Sequence, residues 1–323
     1  MNTSPPLSEK HYYVDFDPDC KPSRFGPKLK GLCLTFKNLR YVPAHVWEMK
    51  EIQWLELCNN YLDTISPDIA KLCNLSAVDI SRNPFKKFPD AVCLLHALKE
   101  LCACACNLTA LPSSFVSIIQ LDHLRLDANE FEVFPEVICE CKNLRYLSMA
   151  NNKLAELPRS FAKLQNLVVL YLGDNKFKTF PKVVCEIEGL CRLALCDNQL
   201  TELPLAMTKL LNLTVLSLGG NDLPSIPLLL GDLPRLGYIL ILGQRIFHRA
   251  SRYLDETYDV IGYLQQRKEI PRLSVIIASG FFCDQTTPWA RFLFQGVYDP
   301  RLFIFIFEFA MLEETAQKKL RLE

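Results

Sequence analysis

The stretch Leu144-Arg145-Tyr146-Leu147-Ser148-Met149-Ala150-Asn151-Asn152-Lys153-Leu154-Ala155-Glu156-Leu157-Pro158 decides the fold, because its register recurs every 23 residues from about Leu29 to Pro227. The second apolar strand position of successive copies is Leu32, Leu55, Val78, Leu101, Leu124, Leu147, Leu170, Leu193 and Leu216, with a worn tenth copy at Ile239. A phase held over that many copies is the signature of a solenoid, in which each coil buries its apolar side against its neighbours.

Each slot has a chemical reason. In Leu147-Ser148-Met149 the apolar period is two, which puts alternate residues on one face of a short strand and the residues between them on the other. The slot filled by Asn60, Asn83, Asn129, Asn152, Asn175, Asn198 and Asn221 offers an amide that can satisfy backbone groups bared by a sharp bend, and predicts a structural ladder along the stack. Cys106 and Lys37 break the pattern: a thiol is a small buried group with a weak donor, whereas Lys37 marks the first coil as an atypical cap. Pro43, Pro89, Pro112, Pro135, Pro158, Pro181, Pro204 and Pro227 fix φ where the chain turns to the convex side, and Ser66 is the exception.

Alternate coils carry Phe85/Phe88, Phe131/Phe134 and Phe177/Phe180, and the coils between carry Leu108/Leu111, Leu154/Leu157 and Leu200/Leu203. Three residues past the proline the bulk reverses, with Val92, Ile138 and Val184 in the Phe coils and Phe115, Phe161 and Met207 in the Leu coils. Two coils are therefore the duplicated unit, with large facing small at constant volume.

Half of the 323 residues are apolar, enough for a sizeable core, and Lys plus Arg equals Asp plus Glu at 36 each. That balance lacks the electrostatic footprint of a nucleic-acid binder and favours a protein partner. Met1 to Cys20 holds no basic segment followed by an apolar run, so the expected location is cytoplasmic, with the nucleus as a second compartment. The 14 cysteines then read as reduced thiols, several of them in inward slots: Cys93, Cys139, Cys141 and Cys185. Asn74-Leu75-Ser76, Asn107-Leu108-Thr109 and Asn212-Leu213-Thr214 match the glycosylation pattern as by-products of the repeat.

These motifs resemble the intracellular leucine-rich-repeat group with 23-residue coils ending in Leu-Pro, which includes a Ras-pathway scaffold and the Scribble and Erbin polarity proteins. The resemblance covers roughly residues 29–242. It implies an α/β solenoid with a parallel sheet on its concave face, and a signalling adaptor whose partners include a small GTPase or a phosphatase. In that scaffold a Val-x-Phe phosphatase-docking motif lies in the N-terminal arm; Val14 and Phe16 echo it, with Tyr13 where a basic residue is expected.

Strand residues that alternate with the core leucines face the concave side. One column reads Gly31, Trp54, Ala77, Glu100, His123, Tyr146, Val169, Arg192, Val215 and Tyr238; the next reads Cys33, Glu56, Asp79, Cys102, Arg125, Ser148, Tyr171, Ala194, Ser217 and Leu240. Trp54, His123, Arg125, Tyr146, Tyr171 and Arg192 are the candidate protein-binding residues, since aromatic and Arg side chains are the usual interface anchors. Asp127, Asp174 and Asp197 beside them would add partner selectivity.

No catalytic group is expected. Cys102, Cys104 and Cys106 do not all face one side, and Cys58 is two coils from Cys104, so no metal site is expected and Cys102 and Cys104 read as exposed, oxidisable thiols. Cys283 with His248 is the best nucleophile and base available, with no third group. No phosphate loop and no cofactor motif occurs.

The expected organisation is an irregular arm over 1–28, the solenoid over 29–246, a capping helix over 247–270 and an apolar tail over 271–323. Leu254, Tyr258, Ile261 and Leu264 carry the helical spacing and Pro271 stops it. The apolar runs Leu273 to Phe282 and Leu302 to Leu312 are shorter than the roughly 17 residues of a membrane span, so no transmembrane segment is expected. The alternative function is the substrate-recognition subunit of a ubiquitin ligase, with the tail bound to the ligase core.

Overall fold

A computed structural model of the chain describes residues 30–223, 230, 232–240 and 274–276. Among these, eleven three-residue strands form one sheet in sequence order, every neighbouring pair parallel. They are β1 (Gly31–Cys33), β2 (Trp54–Glu56), β3 (Ala77–Asp79), β4 (Glu100–Cys102), β5 (His123–Arg125), β6 (Tyr146–Ser148), β7 (Val169–Tyr171), β8 (Arg192–Ala194), β9 (Val215–Ser217), β10 (Tyr238–Leu240) and β11 (Ser274–Ile276). From β1 to β10 each residue sits opposite the residue 23 positions on, as Leu147 opposite Leu170. The strand β11 lies inside the apolar tail and continues the ladder with Val275 opposite Ile239. The expected helix over 247–270, the arm with Val14 and Phe16, and the pair His248 and Cys283 lie outside the described residues.

After each strand of β1 to β9 the same slot turns the chain with a left-handed φ, at Phe36, Asn59, Arg82, Ala105, Ala128, Asn151, Asp174, Asp197 and Gly220, and Asn38, Lys86 and Asn107 add a second such residue in the first, third and fourth coils. After β1 to β8 the chain then reaches a five-residue 3-10 turn on the far side, capped by a proline in all but one coil, such as Arg159–Lys163 behind Pro158. The fixed φ of proline suits that entry, and its carbonyl accepts the first turn bond, Phe161 N to Pro158 O at 3.0 Å. Where Ser66 replaces proline, its hydroxyl accepts from Asp68 N and Pro67 takes the first turn position instead.

Inside each coil the apolar slots join one continuous core from Leu34 to Ile239. A buried leucine contributes roughly 1.5–3 kcal/mol, yet no coil can bury its own slots, so stability comes from stacking. Large and small side chains alternate along the slots, and the rings meet diagonally: Phe88 packs edge-on against Phe115 with centroids 5.5 Å apart, and Phe134 against Phe161 at 5.3 Å.

The buried amides run through this core. Asn198 Nδ2 donates to the carbonyls of Leu172, Leu195 and Cys196 at 3.0–3.1 Å, and its Oδ1 accepts from Phe177 N at 3.0 Å. One side chain thus satisfies groups of two coils at once. At Cys106 the thiol donates at 3.4 Å to the Ile80 and Cys104 carbonyls but supplies no oxygen, and Phe85 N turns to Asn83 O at 2.9 Å.

A second ladder escaped the sequence reading. Asn74, Asn143, Asn166 and Asn212 each donate, at 2.9 Å, to the carbonyl 24 residues back on the convex side. Their signal was legible as Asn-Leu at multiples of 23, and two of these residues are the Asn of a glycosylation triplet.

Candidate functional site: the sheet face of the middle coils

Strand pairing sets the spacing of the exposed columns at about 4.8 Å. His123, Tyr146, Val169 and Arg192 are consecutive in one column, and Arg125, Ser148, Tyr171 and Ala194 in the next. Aromatic side chains so placed must stack or turn edge-on, and both arrangements occur. The His123 ring lies parallel to Tyr146, and Tyr146 meets Tyr171 edge-on, each pair with centroids 5.6 Å apart.

Charged groups hold the cluster at its margins. Asp122 Oδ1 is 2.7 Å from His123 Nδ1. Arg192 reaches the Tyr171 hydroxyl and opposes the upward push that burial gives that phenol. Burial likewise raises the Tyr146 phenol, which therefore stays protonated and able to donate.

Arg125 differs from the others. Its Nε and Nη2 both lie 3.1 Å from Asp127 Oδ2. Asp127 also accepts from the Ser148 hydroxyl and from Ala150 N, the latter at 3.0 Å. Burial is the largest single influence and works against the Arg125 charge, but Asp127 together with Cys104, Tyr146 and Cys102 outweighs it, and the guanidinium is held more firmly protonated than usual. Asp127 is thus a brace beneath the cluster, whereas Asp174 and Asp197 sit one position further along their coils, at the left-handed turn.

Three expectations are corrected here. Trp54 is only 7% exposed and lies over Gly31, where a Cβ would come within 2.0 Å of its ring, with Ala77 also packed against it. Its small neighbours let the indole lie flat on the sheet, so it is a packing residue three coils from the His123 cluster. Cys102 is buried, and burial pushes the half-buried Cys104 thiol well up, an effect reinforced by Asp127. Neither is therefore an exposed, oxidisable group. Among the described residues no set of three His, Cys, Asp or Glu is placed to hold a metal, and no helix is long and apolar enough to cross a membrane.

Asp122 and Ser148 were not singled out from sequence. Asp122 carried a signal in its adjacency to His123. Ser148 carried none, because its role depends on a carboxylate 21 residues earlier.

A family model described as a leucine-rich repeat region matches residues 134–293. No curated protein matches the sequence. Among solved structures, the chain is similar to the LRR ectodomain of the plant membrane receptor kinase GASSHO1/SCHENGEN3 from Arabidopsis thaliana, in complex with CASPARIAN STRIP INTEGRITY FACTOR 2. The two are 27% identical with a TM-score of 0.54, over 63% of this chain and 26% of that one. It is similar to PEPR1 in the PEPR1-AtPEP1 complex, at 27% identity and a TM-score of 0.53 over 67% and 32% of the two chains. It is similar to TLR13 in the TLR13-ssRNA13 complex, at 26% identity and a TM-score of 0.59 over the same shares. The chain thus matches about a third or less of the length of these three. Slot chemistry, parallel sheet and likenesses agree on the fold, which is that of a leucine-rich-repeat solenoid.

Proposed function

We propose that this protein is a non-catalytic adaptor that grips a protein partner with the sheet face of β5 to β8. The observation that carries this reading is the joined set His123, Tyr146, Tyr171 and Arg192, in which ring contacts and hydrogen bonds hold anchor-type side chains in place before a partner arrives. Such preorganisation lowers the ordering cost of binding. Two of the similar structures are complexes with CASPARIAN STRIP INTEGRITY FACTOR 2 and AtPEP1, which supports recognition of a polypeptide. The third holds ssRNA13. Here Asp122 and Asp127 offset the basic groups of the cluster, which favours a mixed-charge protein surface over a phosphate backbone.

The finer reading is a cytoplasmic scaffold in signal transduction, with a small GTPase or phosphatase as the partner class. It is supported by the 23-residue coils and by cysteines used as core filler at Cys93, Cys139 and Cys185. The test is capture of partners from native cells by the full chain and by Tyr146→Ala/Arg192→Ala. The reading expects the main partner to be lost while the double variant stays folded, with only the roughly 1 kcal/mol loss of stability that removing the ring contacts entails; equal capture by both proteins overturns it.

A further inference from the structure

The zero net charge of the chain conceals a strong local asymmetry. On the flank where each coil leaves its strand, the first three coils expose Lys37, Arg40, Arg82, Lys86 and Lys87 against the single acid Asp63. The same segments of the fifth and sixth coils reverse the sign, with Asp127, Glu130, Glu132 and Glu156 against Lys153. Some lysines elsewhere are paired, as Lys71 with Glu48 and Asp68, Lys153 with Glu130, and Lys163 with Glu140. Among the described residues no carboxylate pairs with Arg40, Arg82, Lys86 or Lys87.

Aromatic rings stand among these cations. Phe36 is 70% exposed, Tyr41 75% and Tyr61 60%. Backbone bonds tie the three coils into one surface: Phe36 N to Cys58 O, Tyr61 N to Leu39 O and Asn59 N to Ser81 O, at 2.8–3.2 Å. Phe36 is costly where it stands. It has φ 58°, a left-handed conformation that bulky residues rarely adopt, at the slot where other coils place Asn59, Arg82, Ala105, Asp174 or Gly220. Folding does not explain a phenylalanine held there and left in solvent.

We propose that the flank of the first three coils is a docking surface for an anionic lipid bilayer, with Phe36, Tyr41 and Tyr61 seated among the headgroups and the surrounding Lys and Arg meeting the lipid charge. The geometry chooses this occupant. Single-stranded nucleic acid is gripped by ring faces along a groove, whereas these rings project singly and, among the described residues, pair with no other ring. Isolated aromatic tips level with basic side chains suit the membrane interface, where Phe and Tyr partition and each cation adds on the order of fivefold in affinity.

The test is co-sedimentation of the full chain with vesicles of phosphatidylcholine, with and without phosphatidylserine. Binding should require phosphatidylserine and weaken as salt is raised. Lys86→Ala/Lys87→Ala should weaken it roughly twentyfold. Phe36→Asn should also weaken it while the melting temperature stays level or rises, because asparagine tolerates the left-handed turn; that opposition of effects is one a structural role for Phe36 does not produce. Tyr146→Ala/Arg192→Ala should bind vesicles as the native chain does. Equal sedimentation with neutral vesicles, no effect of the Lys86/Lys87 change, or retention of a single-stranded oligonucleotide with no vesicle binding would each overturn the proposal.

Discussion

The His123 imidazole lies against the Tyr146 ring with centroids 5.6 Å apart and planes only 13° from parallel, across neighbouring strands of one sheet. Tyr146 in turn touches Tyr171 edge-on, so one ring joins the two exposed columns. Removing Tyr146 therefore disconnects the set, where removing His123 only shortens it. Tyr146→Ala is expected to cost about 1 kcal/mol of stability and at least about 2 kcal/mol of partner binding, the threshold for a central anchor. Urea unfolding and calorimetric titration with the captured partner measure the two; an affinity within twofold of native would remove Tyr146 from the interface.

The amide ladder makes a prediction in both directions. Asn198→Ala leaves the Leu172 carbonyl and Phe177 N without their partner in a dry interior, and should destabilise the protein by about 3 kcal/mol. Cys106→Asn restores the oxygen that the thiol lacks and should be neutral or stabilising by up to about 1 kcal/mol. Chemical denaturation of both variants checks the pair.

Asp127 joins Arg125, Ser148 and Ala150 N, so it braces β5 against β6. Asp127→Ala strands a half-buried guanidinium and two donors, with an expected loss of about 2–3 kcal/mol. Partner binding should fall as well, because Arg125 is released into the site. A variant that unfolds at the native urea midpoint would show that the brace bears no strain.

Alkali should weaken the fold through the core thiols. Burial pushes Cys106 and Cys185 up to about 11 and Cys141 up to about 12, from an ordinary value of 9.0. These groups ionise earlier in the unfolded chain than in the folded one. Their contribution is therefore whole below about pH 9 and is lost as pH rises through about 11 to 12. The melting temperature should fall between about pH 8.5 and about pH 11, and fall less in Cys141→Val. At about pH 8 a thiol reagent should modify exposed Cys73 while Cys102, Cys106 and Cys141 stay silent in peptide mapping.

Slots such as Leu147, Asn152 and Pro158 were readable because each answers to a requirement repeated in every coil, and a requirement repeated at a fixed interval is visible without coordinates. Trp54 was not readable in this way. It shares a column with Tyr146, yet Gly31 and Ala77 beside it leave room for the indole to lie down, and the side chain that looked like an anchor became packing. Cys104 failed for a related reason, since its thiol is pushed up by burial and by the Asp127 carboxylate 3.5 Å away, one coil on. The first-coil flank was overlooked because Phe36, Tyr61 and Arg82 carry no repeat signal at all; they stand out only as departures from it.

What the sequence determined unaided is whatever depends on the interval itself: parallel strands in register, the core slots, the amide ladder and the membership of each exposed column. What only the tertiary structure decided is how unlike side chains in those columns settle against one another. That outcome turns on ring orientation, local burial and the nearest opposite charge, which are properties of neighbours 21 to 26 residues apart and not of any position taken alone.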